Sequence, residues 1–282
     1  MTVQGYQVID CHHHVGSVSA VAAEGGGVAQ DEESEDFQQA EARVRVATMD
    51  DLGVDQAVLI PGHGYLRPRG NADTMAENDR IAAYRDSNPD RFPAALGVVE
   101  PLHGKESLRE LHRIKDDLGM AGVSFHVRFQ GVATNSGLVL TLAREMARLN
   151  LVPFVHAADA SRDEDWWKIQ DFADTIPDTP VLALDAFTSS EKAWEAVRVA
   201  RQTPNLYFDT SVCAGLHFVL PVLDVAGPER IVFGTDQYSA VTAPGPSSRR
   251  NIIDQLAATD RVDGETKRAI LGGNLNRLLG LA

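Results

Sequence analysis

The chain has 282 residues, of which 44% are hydrophobic and 23% charged, and its formal net charge is -14 at pH 7. These fractions are typical of a globular protein and exclude a disordered or fibrous chain. The negative charge repels a phosphate backbone, and no cluster of Lys and Arg offsets it, so we expect no nucleic-acid partner.

The sequence shows no sign of a membrane or secretory segment. No apolar stretch is long enough to span a bilayer, and the first ten residues lack the charged start and apolar middle of a secretory signal. We therefore expect a cytoplasmic protein with no membrane partner. Cys11 and Cys213 are too few for a disulfide framework, so both are expected to stay reduced.

Eight short β-branched or apolar runs alternate with stretches that have helical spacing of apolar residues, such as 106–118 and 138–149. The alternation predicts parallel strands joined by helical crossovers. Eight units favour a closed (β/α)₈ barrel of the α/β class, in one domain over 1–282. An open doubly wound sheet would need a glycine-rich phosphate loop after the first run, which is absent. The predicted strands are 8–9, 57–60, 95–99, 122–125, 152–155, 181–184, 206–208 and 231–233.

One stretch breaks this alternation. Residues 17–36 contain three successive glycines followed by an acidic run, and they offer little to bury. Because the stretch follows the first strand, it would lie at the C-terminal mouth of the barrel. We expect a flexible loop there, acting either as a lid or as a solvated surface insertion.

The first predicted strand ends in a histidine cluster, Asp10-Cys11-His12-His13-His14. Alternate side chains of an extended chain share a face, so we expect His12 and His14 to point into the barrel together with Asp10. Two imidazoles at that spacing suit a divalent metal such as Zn²⁺. Asp10 is either a buried acceptor that orients a ligand or a ligand itself.

Two further candidate ligands follow later strands. His156 ends the fifth run, and Asp236 follows the eighth. Catalytic residues of such barrels lie at the C-terminal ends of strands. Together with His12 and His14 they make three imidazoles and one carboxylate, a set that can bind one divalent ion and leave a position for water.

Three polar residues after other strands are candidates for substrate binding. His63 follows the second strand, and His126 and Arg128 follow the fourth. All three are expected at the rim of the pocket. Arg128 would suit a substrate carboxylate through paired hydrogen bonds, and the alternative of a surface arginine stays open.

The motifs that carry a family resemblance are spread over the whole chain. They are Asp10-x-His12-x-His14, the strand 152–156, the turn 234–236 and the stretch 270–280. In these motifs and their order the chain resembles the amidohydrolase superfamily. It is most similar to the amidohydrolase-2 branch, which contains aminocarboxymuconate-semialdehyde decarboxylase and related metal-dependent hydrolases.

The resemblance implies that His12, His14 and His156 ligate a metal, with Asp236 as the remaining ligand or as a base on metal-bound water. Ser124 stands where members with two metals carry a bridging lysine or acid. We therefore expect a single divalent ion, with Zn²⁺ first and Mn²⁺ or a similar ion as the alternative.

One position departs from the family pattern. The branch usually ends its sixth strand with a catalytic histidine, whereas this chain has Asp185. Asp185 either takes over as acid, base or metal ligand, or it only caps the next helix.

These residues favour hydrolysis of an ester, lactone or amide bond in a small carboxylated molecule by a metal-activated water, with Asp236 and Asp185 as catalytic residues. A second hypothesis is non-oxidative decarboxylation of a small aromatic or unsaturated acid, and a third is a metal-binding barrel that has lost catalysis. The missing strand-six histidine places hydrolysis ahead of decarboxylation. Whether the chain forms a homo-oligomer is left open.

Overall fold

The computed structural model describes residues 5–15, 35–62, 69–159, 161–238 and 251–281. These residues contain eight parallel strands whose spatial order follows their order in the chain, as the sequence predicts. The strands are β1 (Ile9–Val15), β2 (Gln56–Pro61), β3 (Ala94–Gly97), β4 (Gly122–Phe125), β5 (Val152–His156), β6 (Val181–Leu184), β7 (Leu206–Asp209) and β8 (Ile231–Val232).

The barrel closes between the last strand and the first. The backbone N–H of Cys11 donates to the carbonyl oxygen of Phe233 over 3.0 Å, and the backbone N–H of His14 donates to that of Gln237 over 2.8 Å. The chain leaving β8 therefore runs beside β1. As a result, the segment that carries Asp236 is bound directly to the strand that carries the histidine cluster.

Helices connect the strands and cover the outside of the barrel. The predicted helical stretches 106–118 and 138–149 correspond to the helices Lys105–Asp116 and Gly137–Leu149. No described helix is both long enough and apolar enough to cross a membrane. The helices are α1 (Glu35–Leu52), α2 (Asn71–Ser87), α3 (Lys105–Asp116), α4 (Val127–Gln130), α5 (Gly137–Leu149), α6 (Trp166–Thr175), α7 (Ser190–Gln202), α8 (Leu216–Ala226), α9 (Asn251–Ala258), α10 (Gly264–Arg268) and α11 (Asn274–Leu279).

The hydrophobic core has two parts, as the alternation of side chains along a strand requires. Val123 and Phe125 of β4 belong to the part that packs between strands and helices. Phe154 and Leu184 belong to the part that fills the inside of the barrel. Because the interior is packed with side chains, a ligand has to bind at an end of the barrel.

The predicted loop over the mouth falls largely outside the described residues, which omit 16–34. At its end, α1 begins at Glu35.

Arg230 binds four backbone carbonyls at the N-terminal end of β8. Its buried guanidinium group donates to the carbonyl oxygens of Ala200 (2.7 Å), Thr203 (2.8 Å), Ala226 (2.9 Å) and Leu206 (3.3 Å). Carbonyls at the C-terminal ends of helices have no partner within the helix, so one side chain here satisfies the ends of both α7 and α8.

We predict that Arg230→Met lowers the free energy of unfolding by roughly 2–4 kcal/mol, because buried carbonyls lose a charged donor. Urea denaturation measures the change. Arg198→Met, at an exposed position of α7, is the matched control and should stay near wild type. Equal stability of the two variants would show that the contacts of Arg230 do not hold the helix ends.

Candidate metal centre and active site

The first strand carries a β-bulge that decides where its histidines point. Between Asp10 and His13, β1 contains one residue more than the paired part of β2. A bulge of this kind shifts the alternation of side chains by one residue. The expectation that Asp10 shares a face with His12 and His14 is therefore wrong: Asp10 Oδ2 lies 2.7 Å from His13 Nε2 instead.

Four of the residues expected to bind a metal come together at the C-terminal end of the barrel. Ligand nitrogens of His12, His14 and His156 lie within 4.8 Å of one another, and all three residues are buried. The Nε2 atoms of His12 and His14 are 2.9 Å apart. Asp236 Oδ1 lies 3.4 Å from the first of these atoms and 3.3 Å from the second.

The imidazole rings of His14 and His156 are oriented by backbone carbonyls. His14 Nδ1 donates to Pro61 O and His156 Nδ1 donates to Phe125 O, each over 2.9 Å. A carbonyl oxygen can only accept, so each ring carries a hydrogen on Nδ1 and presents the lone pair of Nε2.

His12 is oriented by a carboxylate. Its Nδ1 donates to Asp209 Oδ2 over 2.9 Å. Burial alone would lower the pKa of His12, but the hydrogen bond to Asp209 and the charges of Asp236 and Asp185 outweigh it and raise this pKa to about 9. The electrostatic field of the site therefore favours positive charge at His12.

This donor set fits a divalent metal ion. With both Nδ1 hydrogens given to acceptors, the Nε2 atoms of His12 and His14 need a cation between them, either a proton or a metal. Two nitrogens bonded to one ion at about 2.0–2.1 Å lie roughly 3 Å apart when their bonds are near perpendicular, which the observed separation matches.

Asp10 ties the first strand to the turn that carries Asp236. It is fully buried, and its Oδ1 accepts the backbone N–H groups of His12 (2.8 Å) and Thr235 (3.0 Å). Its Oδ2 accepts the hydroxyl of Thr235 and faces His13. With both oxygens engaged, Asp10 acts as a buried acceptor, the first of its two predicted roles.

Asp185 lies within the same cluster. A ligand oxygen of Asp185, one of Asp236 and a ring nitrogen of His12 lie within 4.8 Å of one another. Burial, followed by the charge of Asp236, raises the pKa of Asp185 to about 7. The alternative that Asp185 only caps the next helix is wrong, because Ser189 is the N-cap of α7.

Backbone strain is concentrated around this cluster. Asp185 (φ 59°), Val212 (φ 50°) and Asp236 (φ 54°) adopt left-handed conformations after β6, β7 and β8. Such conformations cost about 1–3 kcal/mol each at non-glycine residues and persist where the surroundings hold them. Three adjacent strands are thus followed by strained residues, and two of these, Asp185 and Asp236, lie beside His12.

The substrate-binding candidates are only partly described. His126 stacks on His156 with ring centroids 3.9 Å apart and planes 2° apart, and its Nδ1 donates to Glu164 Oε1 over 2.7 Å. Burial lowers the pKa of His126 to about 4, so the ring is neutral. The half-buried Arg128 lies with its guanidinium carbon 4.2 Å from the ring centre of Phe129. His63 lies outside the described residues.

Sequence reasoning missed three site residues, Asp209, Ser211 and Glu164. A signal for Asp209 existed, since it ends β7 as His156 ends β5. No comparable signal marked Glu164, which lies in a short 3₁₀ turn (Arg162–Glu164) and reaches His126 only through the fold.

A closed barrel with imidazoles and carboxylates gathered at the C-terminal ends of its strands defines a (β/α)₈ enzyme of the metal-dependent kind. A family model described as Amidohydrolase matches residues 9–281. The chain therefore belongs to the amidohydrolase family, as the resemblance in its motifs indicates. A search of curated proteins found no match.

Three solved structures share the fold over nearly the whole chain. The 5-carboxyvanillate decarboxylase of Sphingomonas paucimobilis has a TM-score of 0.72 at 16% identity, covering 99% of this chain and 100% of that chain. The 5-carboxyvanillate decarboxylase of Novosphingobium aromaticivorans was solved with manganese and 4-hydroxy-3-methoxy-5-nitrobenzoic acid. It has a TM-score of 0.71 at 18% identity, covering 99% of this chain and 97% of that chain. The 2,6-dihydroxybenzoate decarboxylase of Rhizobium has a TM-score of 0.68 at 15% identity, covering 99% of each chain.

We predict that the double variant His12→Ala/His14→Ala loses bound divalent metal, because two of the converging nitrogens disappear. Elemental analysis after loading with Mn²⁺ or Zn²⁺ and removal of excess ion measures this. His112→Ala, at an exposed position of α3, should keep the wild-type stoichiometry. A wild-type protein that retains no ion would rule out the metal centre.

We predict that Asp209→Asn weakens metal binding about 10- to 100-fold, the usual effect of changing an acceptor that orients a ligating histidine. A competition titration with a chelating dye gives the dissociation constant. Asp224→Asn, which changes an exposed carboxylate on α8, is the control. Unchanged affinity in Asp209→Asn would mean that the carboxylate does not orient His12 for a metal.

Proposed function

We propose that the chain is a metal-dependent decarboxylase that releases the carboxylate of a small aromatic or unsaturated acid as CO₂. The observation that carries the proposal is the convergence of His12, His14 and His156 with Asp236 at the barrel mouth. The choice of reaction is supported by whole-length likeness to decarboxylases of aromatic acids.

This choice reverses the order expected from the sequence, which placed hydrolysis first because the strand-six histidine is missing. Asp185 lies within the cluster, where its carboxyl group can carry a proton to a bound molecule. The absence of the histidine therefore no longer counts against decarboxylation. The same placement speaks against a barrel that has lost catalysis.

The ion would be held by His12, His14, His156 and Asp236. When bound, it would act as a Lewis acid on substrate oxygen and stabilise negative charge that develops during the reaction. Ser124, buried in β4, offers no carboxylate or amine for a second ion. Because the Novosphingobium structure holds manganese, Mn²⁺ is the first ion to test, ahead of the Zn²⁺ expected from the sequence.

In the proposed reaction Asp185 is the proton donor. Its carboxyl proton forms the new C–H bond at the carbon that carried the carboxylate, the bond from that carbon to the carboxylate carbon breaks, and CO₂ leaves. Asp185 is then ionised and takes a proton from solvent. The residue is well placed for this step because its backbone is fixed beside the ligand His12.

His126 and Arg128 would bind the rest of the substrate. His126 gives its Nδ1 hydrogen to Glu164, so its other nitrogen can accept a hydrogen bond from a substrate hydroxyl. Arg128 would pair with the carboxylate, next to the aromatic ring of Phe129. His63 remains a predicted third contact.

We predict that Mn²⁺-loaded protein releases CO₂ from at least one member of a panel of hydroxylated aromatic and unsaturated carboxylic acids. Asp185→Asn should lower kcat about 10²- to 10⁴-fold, the usual effect of losing a general acid, and keep bound metal. CO₂ release and metal content are measured in parallel, with Asp224→Asn as control.

Lactones and esters belong in the same panel, and acid release is followed beside CO₂ release. Acid release from a lactone with no CO₂ from any acid would show a hydrolase. No turnover of any compound by the metal-loaded protein, with ligand affinity intact in Asp236→Asn, would show a barrel that only binds.

A further inference from the structure

Ser211 lies between the two carboxylates that follow β6 and end β7. Its hydroxyl oxygen is 2.9 Å from Asp185 Oδ1 and 2.6 Å from Asp209 Oδ2. The residue is fully buried, so bulk water cannot take over these contacts. The same oxygen also lies 3.0 Å from His12 Nδ1 and 3.2 Å from the backbone nitrogen of Asp185.

Asp209 is held in place by hydrogen bonds to both of its carboxylate oxygens. Its Oδ1 accepts the backbone N–H of Asp185 over 2.9 Å, and its Oδ2 accepts the Nδ1 hydrogen of His12. Gly234 leaves room for it, because a Cβ atom at that position would lie only 2.7 Å from Asp209 Oδ2. The carboxylate is thus held by hydrogen bonds from the residue after β6 and from β1, and it lies close to the chain after β8.

These contacts hold Asp185 in an unusual backbone conformation. Its φ of 59° lies in the left-handed region, and its backbone N–H is taken by Asp209 and Ser211. Val212, directly after Ser211, has φ 50°, a conformation that β-branched residues rarely adopt. The chain bears strain on both sides of the contact between Ser211 and Asp185.

We propose that Ser211 is a positioning residue for Asp185. Together with Asp209, it holds the carboxyl group of Asp185 at its place beside His12, with Asp185 Oδ1 3.9 Å from His12 Nδ1. Loss of the hydroxyl would displace the proton donor, whereas His12 would stay in place because Asp209 still accepts its Nδ1 hydrogen. This inference rests on the proposed function, in which Asp185 delivers the proton.

A double-mutant cycle tests whether Ser211 acts through Asp185. Ser211→Ala should lower kcat roughly 10- to 100-fold, the scale of a displacement near 1 Å, with KM and bound Mn²⁺ near wild type. Asp185→Asn/Ser211→Ala should be no slower than Asp185→Asn alone. Independent, multiplying effects of the two substitutions would overturn the proposal.

The control is Thr203→Val, which removes another fully buried hydroxyl, one without a hydrogen-bond partner among the described residues. It directly follows α7 and lies beside Arg230 at the N-terminal end of the barrel, opposite the site, so kcat of this variant should match wild type. A fall in kcat equal to that of Ser211→Ala would assign the effect to buried hydroxyls in general.

Crystal structures of wild type and Ser211→Ala give a readout that does not depend on turnover. We expect the backbone of Asp185 to leave the left-handed region or its carboxyl group to move in the variant. An unmoved Asp185 would overturn the positioning role even if the wild type is an active decarboxylase. A wild type without CO₂ release would refute the proposed function, and the position of Asp185 would still decide this inference.

Discussion

The positive charge required between the Nε2 atoms of His12 and His14 is the constraint on which the site depends. Two lone pairs 2.9 Å apart in a buried place repel unless a cation lies between them. The surrounding residues favour a cation at this place, because acceptors take the Nδ1 hydrogens of both rings and the Asp236 carboxylate lies beside the Nε2 atoms. The bulge in β1 keeps the space between these Nε2 atoms open for the cation, since it turns Asp10 toward His13.

Four aspartates near these histidines share one chemistry but have different surroundings. Asp10 is saturated with hydrogen bonds and joins two strand ends, and Asp209 orients His12. Asp236 faces the two Nε2 atoms, while burial, followed by the charge of Asp236, raises the pKa of Asp185. The residues that contact each aspartate come from neighbouring strands and give the four aspartates different roles.

The different surroundings of these aspartates also matter for the proposed reaction. An acid that is held by the backbone beside a metal ligand can deliver a proton without first being brought into place, which lowers the entropic cost of the step. In the proposed reaction that acid is Asp185, and the strain at Val212 and Asp185 is the structural cost of fixing it. Barrels tolerate such strain at strand ends because the packed interior below supplies stability.

The sequence by itself determined the barrel, its eight strands, the family and the four residues that converge at the mouth. The barrel and its strands follow from local periodicity, the convergence follows from the rule that strand C-termini meet at one end, and the family follows from the resemblance of the motifs. Only the tertiary structure decided the direction of Asp10 and the partners of Asp185. A bulge depends on pairing with β2, and the contacts of Asp209, Ser211 and Glu164 join residues far apart in the chain. No local pattern encodes such contacts, because they form only when the barrel closes.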